Sequence, residues 1–326
     1  MAEEQDESQW PIGFEGHARE QRKRMAALPL SAKIAWLEEA QRVAEHLQRS
    51  RRERLPHPYT KAQAMTITID GCPLAVHDEG SGPAIVFLHG FPLDHRMWEA
   101  QLPALPGWRK IVPDLRGFGA SGVTPGTVTM DRFADDVAGI LDALAIPKAV
   151  ICGLSMGGYI ALAFWRRHAA RVSGLVLCDT RAVPDTEEAA AGRRKSATQV
   201  LAEGSKVAAE AVVPKLFAKG TQEARPELLV EYRALMSGMP PAGVAAAQLG
   251  MAERPDSRPT LPTITVPTQV IVGIEDVIST PAEMQSIAAG IPGAEYSIIA
   301  GAGHMSPVEN PSEFNFELLG FLERVQ

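Results

Sequence analysis

The sequence of 326 residues has only three cysteines, an odd number, which excludes a small scaffold held by disulfides. Cys152 and Cys178 lie inside apolar segments, so we interpret the thiols as buried and reduced, as is typical of a cytoplasmic protein. Positive charge is not in excess either. The sequence has 32 basic and 39 acidic residues, and its net charge is −7. Such a chain has no positive electrostatic field that would attract nucleic acid or an anionic membrane.

The sequence also lacks the features of export and of a membrane span. Its first residues are acidic, whereas a secretory signal begins with positive charge and continues with an apolar run. The uncharged stretch at residues 149–165 approaches the roughly 20 residues that a membrane helix needs. Three glycines within that stretch, Gly153, Gly157 and Gly158, instead indicate a strand, a turn and a helix.

The first 62 residues differ in character from the rest of the chain. Of the first 60 residues, 10 are acidic and 10 are basic. We therefore predict a charged helical extension over residues 1–62, followed by a catalytic domain over residues 63–326. Helices are expected at residues 14–28 and 31–48, and the second has apolar residues at helical spacing, namely Trp36, Ala40, Val43 and Leu47. Such a stripe has to pack on the main body or on a second copy, which motivates the hypothesis of a homodimer through the N-terminal helices.

From residue 65 onward the pattern changes to short runs rich in β-formers. A hairpin is predicted from an alternating run at residues 65–69, a turn at Asp70-Gly71 and a returning run at residues 73–77. Further apolar runs alternate with helical segments, at residues 84–88, 110–112, 149–152, 174–177, 268–272 and 295–299. This alternation indicates an α/β fold with a mostly parallel sheet and helices on both faces. Ligands in such sheets bind beyond the carboxyl ends of the strands.

A glycine-rich motif follows the run at residues 149–152. The segment Gly153-Leu154-Ser155-Met156-Gly157 has the G-x-S-x-G pattern, and a helical segment comes directly after it. Small residues two before and two after a serine permit a sharp elbow between strand and helix, which presents the hydroxyl at the sheet edge. Since both neighbours are present, the motif favours a nucleophile, Ser155, over a structural tight turn.

A serine hydroxyl needs a base to take its proton and an acid to orient that base. Of the eight histidines, His304 lies in a glycine-containing loop directly after the last predicted strand, and we predict that it is the base. Asp276 follows the strand at residues 268–272 and gives the order serine, acid, histidine that is expected for this fold. Asp179, which follows the preceding strand, is the alternative acid, and Asp114 is interpreted as structural.

Two further motifs complete a resemblance to a known family. Phe87-Leu88-His89-Gly90-Phe91-Pro92 follows the third predicted strand, and Asp114-Leu115-Arg116-Gly117-Phe118-Gly119-Ala120-Ser121 follows the fourth. With the elbow, they make the chain from about residue 65 to its end similar to the α/β-hydrolase superfamily. The resemblance implies an α/β-hydrolase fold and an oxyanion hole formed by the backbone N–H groups of Phe91 and Met156. It also implies that His89 and Arg116 shape their loops rather than react.

The long segment before the strand at residues 268–272 has several helical patterns, and we predict a helical cap at about residues 183–260. The expected boundaries of its helices are the N-caps Thr186 and Ser205 and the stops Gly204 and Gly220. Apolar candidates for its inner face are Val212, Leu216, Phe217, Leu229, Met236 and Met239. No cluster of cations stands out in the cap, which disfavours a polyanionic substrate.

The function that these features indicate is that of a serine hydrolase with a triad of Ser155, Asp276 and His304. It would cleave carboxylic esters of small or medium apolar substrates through an acyl-enzyme, as carboxylesterases do. The elbow also resembles those of enol-lactonases and cofactor-free perhydrolases, and hydrolases of carbon–carbon bonds share the triad, so these reactions remain alternatives. Haloalkane dehalogenases and epoxide hydrolases are disfavoured because they require aspartate at the elbow.

The expected partners follow from the same chemistry. A small-molecule ester is the substrate, while nucleic acid and membrane are not expected to bind. No cofactor and no metal is required, because a triad performs acyl transfer with protein groups and water alone. The hypothesis from another class is a ligand-binding protein that has kept the fold and lost turnover.

Overall fold

The computed structural model of the chain describes residues 65–325. The predicted N-terminal helices lie outside the described residues, so the extension, its boundary and the homodimer remain predictions. Within the described range, the helices are too short or too polar to cross a lipid bilayer. The three cysteines are buried free thiols.

Among residues 65–325, eight strands form one sheet in the order β1-β2-β4-β3-β5-β6-β7-β8. They are β1 (Met65–Ile69), β2 (Cys72–Glu79), β3 (Ala84–Leu88), β4 (Arg109–Pro113), β5 (Ala149–Leu154), β6 (Val172–Cys178), β7 (Thr268–Gly273) and β8 (Glu295–Ile299). The predicted hairpin is the antiparallel pair β1–β2, and β2 also runs antiparallel to β4. The remaining pairs are parallel. Every apolar run expected to be a strand is one, which confirms the mostly parallel sheet.

Ten α-helices follow β4 in the described part of the chain. They are α1 (Met130–Ala143), α2 (Met156–His168), α3 (Glu187–Glu203), α4 (Lys206–Leu216), α5 (Lys219–Ala224), α6 (Pro226–Ser237), α7 (Pro241–Ala252), α8 (Pro281–Gly290), α9 (Ser306–Glu309) and α10 (Pro311–Val325). Helices α3 to α7 fill the interval between β6 and β7, so the expected helical cap is present.

Both faces of the sheet are covered by helices. Since successive side chains of a strand point in opposite directions, each strand contributes side chains to the core on either face. The strands β3, β5 and β7 are buried at every position, as expected for parallel strands between two helical layers. One set of side chains, which includes Val86 and Leu88, joins a core with helices α1, α2 and α8. On the other face, the ring of Phe87 lies 5.0 Å from that of Trp98, which lies 6.2 Å from that of Phe314 on α10.

The cap helices differ from the sequence prediction at two boundaries. Thr186 caps α3 as expected, since its side chain accepts a hydrogen bond from the backbone N–H of Ala189, and Gly204 ends that helix. Ser205 is not a side-chain cap of α4, because its hydroxyl donates to the carbonyl oxygen of Met239 instead. Gly220 does not stop a helix but lies inside α5. The local signal fails at Ser205 because of a tertiary hydrogen bond, and at Gly220 because a new helix begins at Lys219.

Candidate active site

Ser155 is the single residue between the end of β5 and the start of α2. Its backbone angles are φ 54° and ψ −113°, a conformation that costs a non-glycine residue on the order of 1–3 kcal/mol. Two contacts with the end of β6 hold it there. The N–H of Ser155 donates to the carbonyl oxygen of Cys178 at 2.9 Å, and the Thr180 hydroxyl donates to the Ser155 carbonyl at 2.7 Å. The G-x-S-x-G segment therefore forms the sharp elbow that the sequence predicts.

The two glycines of the elbow are required by close backbone approaches. A Cβ atom on Gly153 would lie 2.2 Å from the carbonyl oxygen of Gly157, inside the turn itself. A Cβ atom on Gly157 would lie 2.2 Å from the carbonyl oxygen of Leu88, at the end of the neighbouring strand β3. Contacts this short involve backbone atoms that cannot swing away, so larger residues would open the elbow.

Asp276 and His304 contact each other, as the sequence predicts for an acid and a base. His304 Nδ1 lies 2.8 Å from Asp276 Oδ2, and both residues are 3% exposed. The other carboxylate oxygen accepts hydrogen bonds from the backbone N–H groups of Ile278 at 2.7 Å and Ser279 at 3.0 Å. Burial opposes ionisation of Asp276, but His304 and these two donors lower the pKa of its carboxyl below the usual range. The acid is thus ionised and aims at Nδ1, which leaves Nε2 as the free basic nitrogen.

Ser155 and His304 open into one cavity of about 230 Å³ between the sheet and the cap. Phe91 and Tyr159 form part of its wall on the sheet side, and Met251 of α7 forms part of its wall on the cap side. Met156 is the first residue of α2, so its backbone N–H has no acceptor within the helix and is free for a ligand. The structure therefore brings the predicted nucleophile, base and Phe91 to one cavity, with Met156 adjacent to the nucleophile.

The loop that carries His304 is held by a buried carboxylate that the sequence does not single out. Glu309 accepts hydrogen bonds from the backbone N–H of Gly303 at 2.7 Å and that of Met305 at 3.3 Å, on either side of His304. Its second oxygen accepts from the N–H of Ala218 in the cap at 2.7 Å. Burial raises the pKa of Glu309. This side chain therefore fixes the histidine loop and joins it to the cap.

Asp179, the alternative acid, is placed elsewhere. It is fully buried with φ 43°, accepts a hydrogen bond from the N–H of Gly273 at 2.8 Å and lies 2.5 Å from the hydroxyl of Ser306. Burial and the nearby carboxylate of Asp276 raise the pKa of Asp179 well above its usual range. Asp179 thus favours its neutral form and ties the end of β7 to the start of α9, without contacting His304.

The two loops of the family motifs are joined by structural side chains. His89 is buried, with Nδ1 2.9 Å from the carbonyl oxygen of Gly90, and Nε2 accepts the N–H of Leu115 at 3.0 Å. Burial lowers the pKa of His89, which keeps the ring neutral. Arg116 forms two hydrogen bonds with the carboxylate of Asp136, at 2.7 and 2.6 Å. Both residues therefore shape their loops, as expected.

A larger cavity of about 690 Å³ shares no lining residue with the Ser155 cavity. Asp94, His95 and Asp114 line it, and their ligand atoms lie within 4.8 Å of one another, close enough to hold a metal ion. These groups are already engaged, since His95 Nδ1 lies 2.7 Å from Asp114 Oδ1 and Arg96 holds both oxygens of Asp94. The arrangement is that of two satisfied ion pairs, and Asp114 is structural, as the sequence indicates.

Two of the six apolar cap candidates, Val212 and Leu216 on α4, line the Ser155 cavity. Phe217 packs instead on the ring of Tyr232 at 5.3 Å between centroids, and Met239 lines the larger cavity. The cap also contributes two cations to the Ser155 cavity, Arg193 and Lys215. The expectation that the cap offers no cluster of cations is therefore wrong at this cavity. The basic run at residues 193–195 is visible in the sequence. It does not reveal which of its side chains faces the cavity.

The comparisons with known proteins agree with this architecture. The family model of the alpha/beta hydrolase fold matches residues 83–311. A malate-bound thermophilic esterase from Thermogutta terrifontis is 46% identical, with a TM-score of 0.77 over 80% of this chain and 97% of that chain. The enol-lactonase from Burkholderia xenovorans LB400 is 32% identical, with a TM-score of 0.75 over 79% of this chain and 100% of that one. By sequence, 3-oxoadipate enol-lactonase 1 from Acinetobacter baylyi is 30% identical over 82% of this chain and 97% of its own. The chain therefore belongs to the alpha/beta hydrolase family and is a hydrolase by that membership.

Proposed function

We propose that the protein is a serine hydrolase that cleaves small carboxylic esters with Ser155, His304 and Asp276 as its triad. The observation that supports this most directly is the combination of a strained serine elbow with a buried histidine–carboxylate pair at the same cavity. Strain at a residue persists where the surrounding contacts fix it, and it is concentrated at reactive sites. Such a constellation supports acyl transfer rather than ligand binding alone.

The first half of the proposed reaction forms an acyl-enzyme. The oxygen of Ser155 attacks the ester carbonyl carbon while His304 Nε2 takes the hydroxyl proton, and Asp276 stabilises the imidazolium that results. The backbone N–H groups of Phe91 and Met156 donate to the carbonyl oxygen as it becomes negative. Losing one such donor typically costs about 2.7–4 kcal/mol of transition-state stabilisation. The carbon–oxygen bond to the alcohol then breaks, and the alcohol leaves with the proton from His304.

The second half regenerates the enzyme with water. His304 takes a proton from the water molecule, whose oxygen attacks the acyl carbon. The bond to Ser155 then breaks, its oxygen recovers the proton, and the carboxylic acid leaves. Besides the ester itself, both steps use only protein groups and one water molecule.

Lactone opening is a second candidate activity, because a lactone is a cyclic ester and the same two half-reactions open it. Two relatives, from Burkholderia xenovorans and Acinetobacter baylyi, are named as enol-lactonases, which supports lactone opening. The similarity to the esterase from Thermogutta terrifontis supports the ester reaction. The three buried free thiols support a reducing compartment such as the cytoplasm.

The test is the variant Ser155→Ala on a short-chain p-nitrophenyl ester, with a lactone tested beside it. We expect kcat to fall by at least about a thousandfold with the fold intact, since removing the nucleophile leaves only the oxyanion donors and binding. The matched control is Ser286→Ala, because Ser286 is an exposed serine on α8. A fluorophosphonate should label the wild type and the control but not Ser155→Ala. An active, folded Ser155→Ala enzyme would overturn the triad, and a folded wild type that neither labels nor turns over would favour the ligand-binding hypothesis.

A further inference from the structure

The cavity at Ser155 is positively charged on its cap side. Arg193 of α3 and Lys215 of α4 both line it, and none of the described residues in its wall is acidic. The sheet side supplies the nucleophile and the base, so the cavity has a reacting end and a cationic wall. This arrangement is suited to a molecule that carries an ester and a negative charge together.

The charge of Arg193 is only partly neutralised by its neighbours. Its Nε donates to one oxygen of Asp185 at 2.5 Å, and Arg254 donates to the other oxygen at 2.8 Å. One carboxylate therefore serves two guanidinium groups, which leaves this cluster with a net positive charge. Burial opposes ionisation of Asp185, but the two arginines lower the pKa of its carboxyl, so the cluster keeps this charge at neutral pH.

The geometry of Arg193 leaves donors for a ligand. Besides the bond to Asp185, its Nη1 donates to the side-chain oxygen of Gln248 at 3.2 Å. Its Nη2 has no acceptor among residues 65–325, and its side chain is 26% exposed. A partly desolvated guanidinium with a free N–H edge is a strong binder of carboxylate.

The second arginine of the cluster extends the positive field to the cavity wall. The guanidinium carbon of Arg254 lies 4.3 Å from the ring centroid of Tyr159, and Tyr159 lines the cavity. Arg254 is almost fully buried. A buried charge is screened less by salt and solvent than an exposed one.

Lys215 supplies a second, solvent-exposed charge at the same cavity. It is exposed, in the last turn of α4, and makes no ion pair with another residue of the described range. A cation in the last turn of a helix also stabilises the helix end, so its test has to separate stability from substrate binding.

From this arrangement we infer that the preferred substrates are small esters or lactones that carry a carboxylate, which Lys215 and Arg193 bind while the ester lies over Ser155. The inference rests on the proposed function and names its substrate class. A volume of about 230 Å³ corresponds to about eight water-sized groups at about 30 Å³ each, which fits the acyl part of a short dicarboxylic monoester while the alcohol part extends out of the cavity.

The experiment compares two esters that differ at one end. p-Nitrophenyl hemiglutarate carries a carboxylate, and p-nitrophenyl hexanoate has an ethyl group in its place. The measured quantity is the ratio of kcat/KM for the anionic ester to that for the neutral ester, with background hydrolysis taken from Ser155→Ala. Lys215→Met is expected to lower this ratio about threefold to tenfold, mainly by raising KM for the anionic ester.

Two further variants and a change of ionic strength isolate the effect of the charge. Lys206→Met removes an exposed lysine from the other end of the same helix, outside the cavity, and should leave the ratio unchanged. Lys215→Glu should lower the ratio more than Lys215→Met does. Raising the ionic strength should slow the wild type on the anionic ester only, because salt screens the attraction. Thermal unfolding of each variant separates helix stability from binding.

The outcomes distinguish the inference from the proposed function. If the folded wild type hydrolyses neither ester and Ser155 takes no fluorophosphonate, the proposed function fails. If Ser155-dependent hydrolysis of the hexanoate is seen but the ratio is the same in wild type, Lys215→Met and Lys215→Glu, the proposed function stands and the inference is overturned. A ratio that falls equally in Lys206→Met overturns it as well.

Discussion

Replacing Asp276 and Asp179 with asparagine, one at a time, tests which of the two buried acids serves His304. In Asp276→Asn, the side-chain oxygen can still accept the N–H groups of Ile278 and Ser279, but the amide NH₂ then faces His304 Nδ1 at the position of Oδ2. Because an amide NH₂ only donates, the imidazole must present the lone pair of Nδ1 and carry its proton on Nε2. In that tautomer it cannot take the proton of Ser155.

The size of the effect follows from the same contacts. Turning the amide over would restore the productive tautomer but would set NH₂ against two backbone donors, which loses two hydrogen bonds of about 0.5–1.5 kcal/mol each. The wrong tautomer is therefore favoured by about 1–3 kcal/mol. The carboxylate charge that stabilises the imidazolium is lost in addition. Together these effects should lower kcat about 10⁴-fold, or about 5 kcal/mol, as in other triads.

Asp179→Asn is the matched control, because asparagine has the shape of the aspartate side chain and can keep both of its hydrogen-bonding contacts. Its oxygen can accept the N–H of Gly273, and its NH₂ can donate to the hydroxyl of Ser306. We expect kcat for a p-nitrophenyl ester to change by less than about threefold, with a thermal midpoint close to that of the wild type. The reasoning is refuted if folded Asp276→Asn keeps more than about a tenth of the activity, or if Asp179→Asn loses as much as Asp276→Asn.

The remaining predictions concern stability. Gly157→Ala would place a Cβ 2.2 Å from the carbonyl oxygen of Leu88, so it should destabilise the fold by about 1–3 kcal/mol in urea unfolding. Gly192→Ala on α3 meets nothing within 4 Å and should instead stabilise by about 0.5–1 kcal/mol; equal effects of the two variants would contradict the elbow argument. His95→Asn should destabilise most between about pH 4 and pH 6.5. Burial opposes ionisation of Asp114, but the His95 side chain and the backbone N–H groups of Ala120 and His95 together lower its pKa from 3.8 to about 2. The shift corresponds to about 2 kcal/mol in all, which is present above pH 3.8 and lost as the pH falls to about 2, and His95→Asn should remove the part that comes from the imidazole. Burial lowers and Asp114 raises the pKa of His95, with a net rise above 6.5, so its share is present below pH 6.5 and lost as the pH rises through the raised value. Unfolding curves of wild type and variant at pH 2, 5 and 9 check this, and a constant difference across that range would contradict it.

The elbow and the sheet could be predicted because their causes are local. The G-x-S-x-G spacing reflects the approaches of Gly153 and Gly157 to backbone atoms within a few residues or on the adjacent strand. Strand positions follow from apolar runs that two helical layers must bury. The contact between His304 and Asp276 was predictable because each residue closely follows a strand, and the carboxyl ends of parallel strands lie at one edge of the sheet. Their roles as base and acid remain predictions.

Tertiary contacts explain what the sequence could not show. Glu309 holds the histidine loop through backbone N–H groups of Gly303, Met305 and Ala218, and the last of these is 91 residues away along the chain. Ser205 carries a regular N-cap signal, but its hydroxyl bonds to Met239, 34 residues further on. A pattern of local residue types contains no information about such distant hydrogen-bond partners.

The polarity of the substrate cavity is the clearest example, because it changes the chemistry expected of the site. Arg193, Arg194 and Lys195 are consecutive, and successive residues of a helix point about 100° apart, so only one of them can face a given neighbour. The packing of α3 against α7 selects Arg193, which is half-buried while the other two are exposed. A cap that is rich in aliphatic residues thus contributes a cation to the cavity that Ser155 lines. Under the proposed function, these cations would offset the cost of desolvating a substrate carboxylate, so charge rather than chain length should be the first property by which esters are selected.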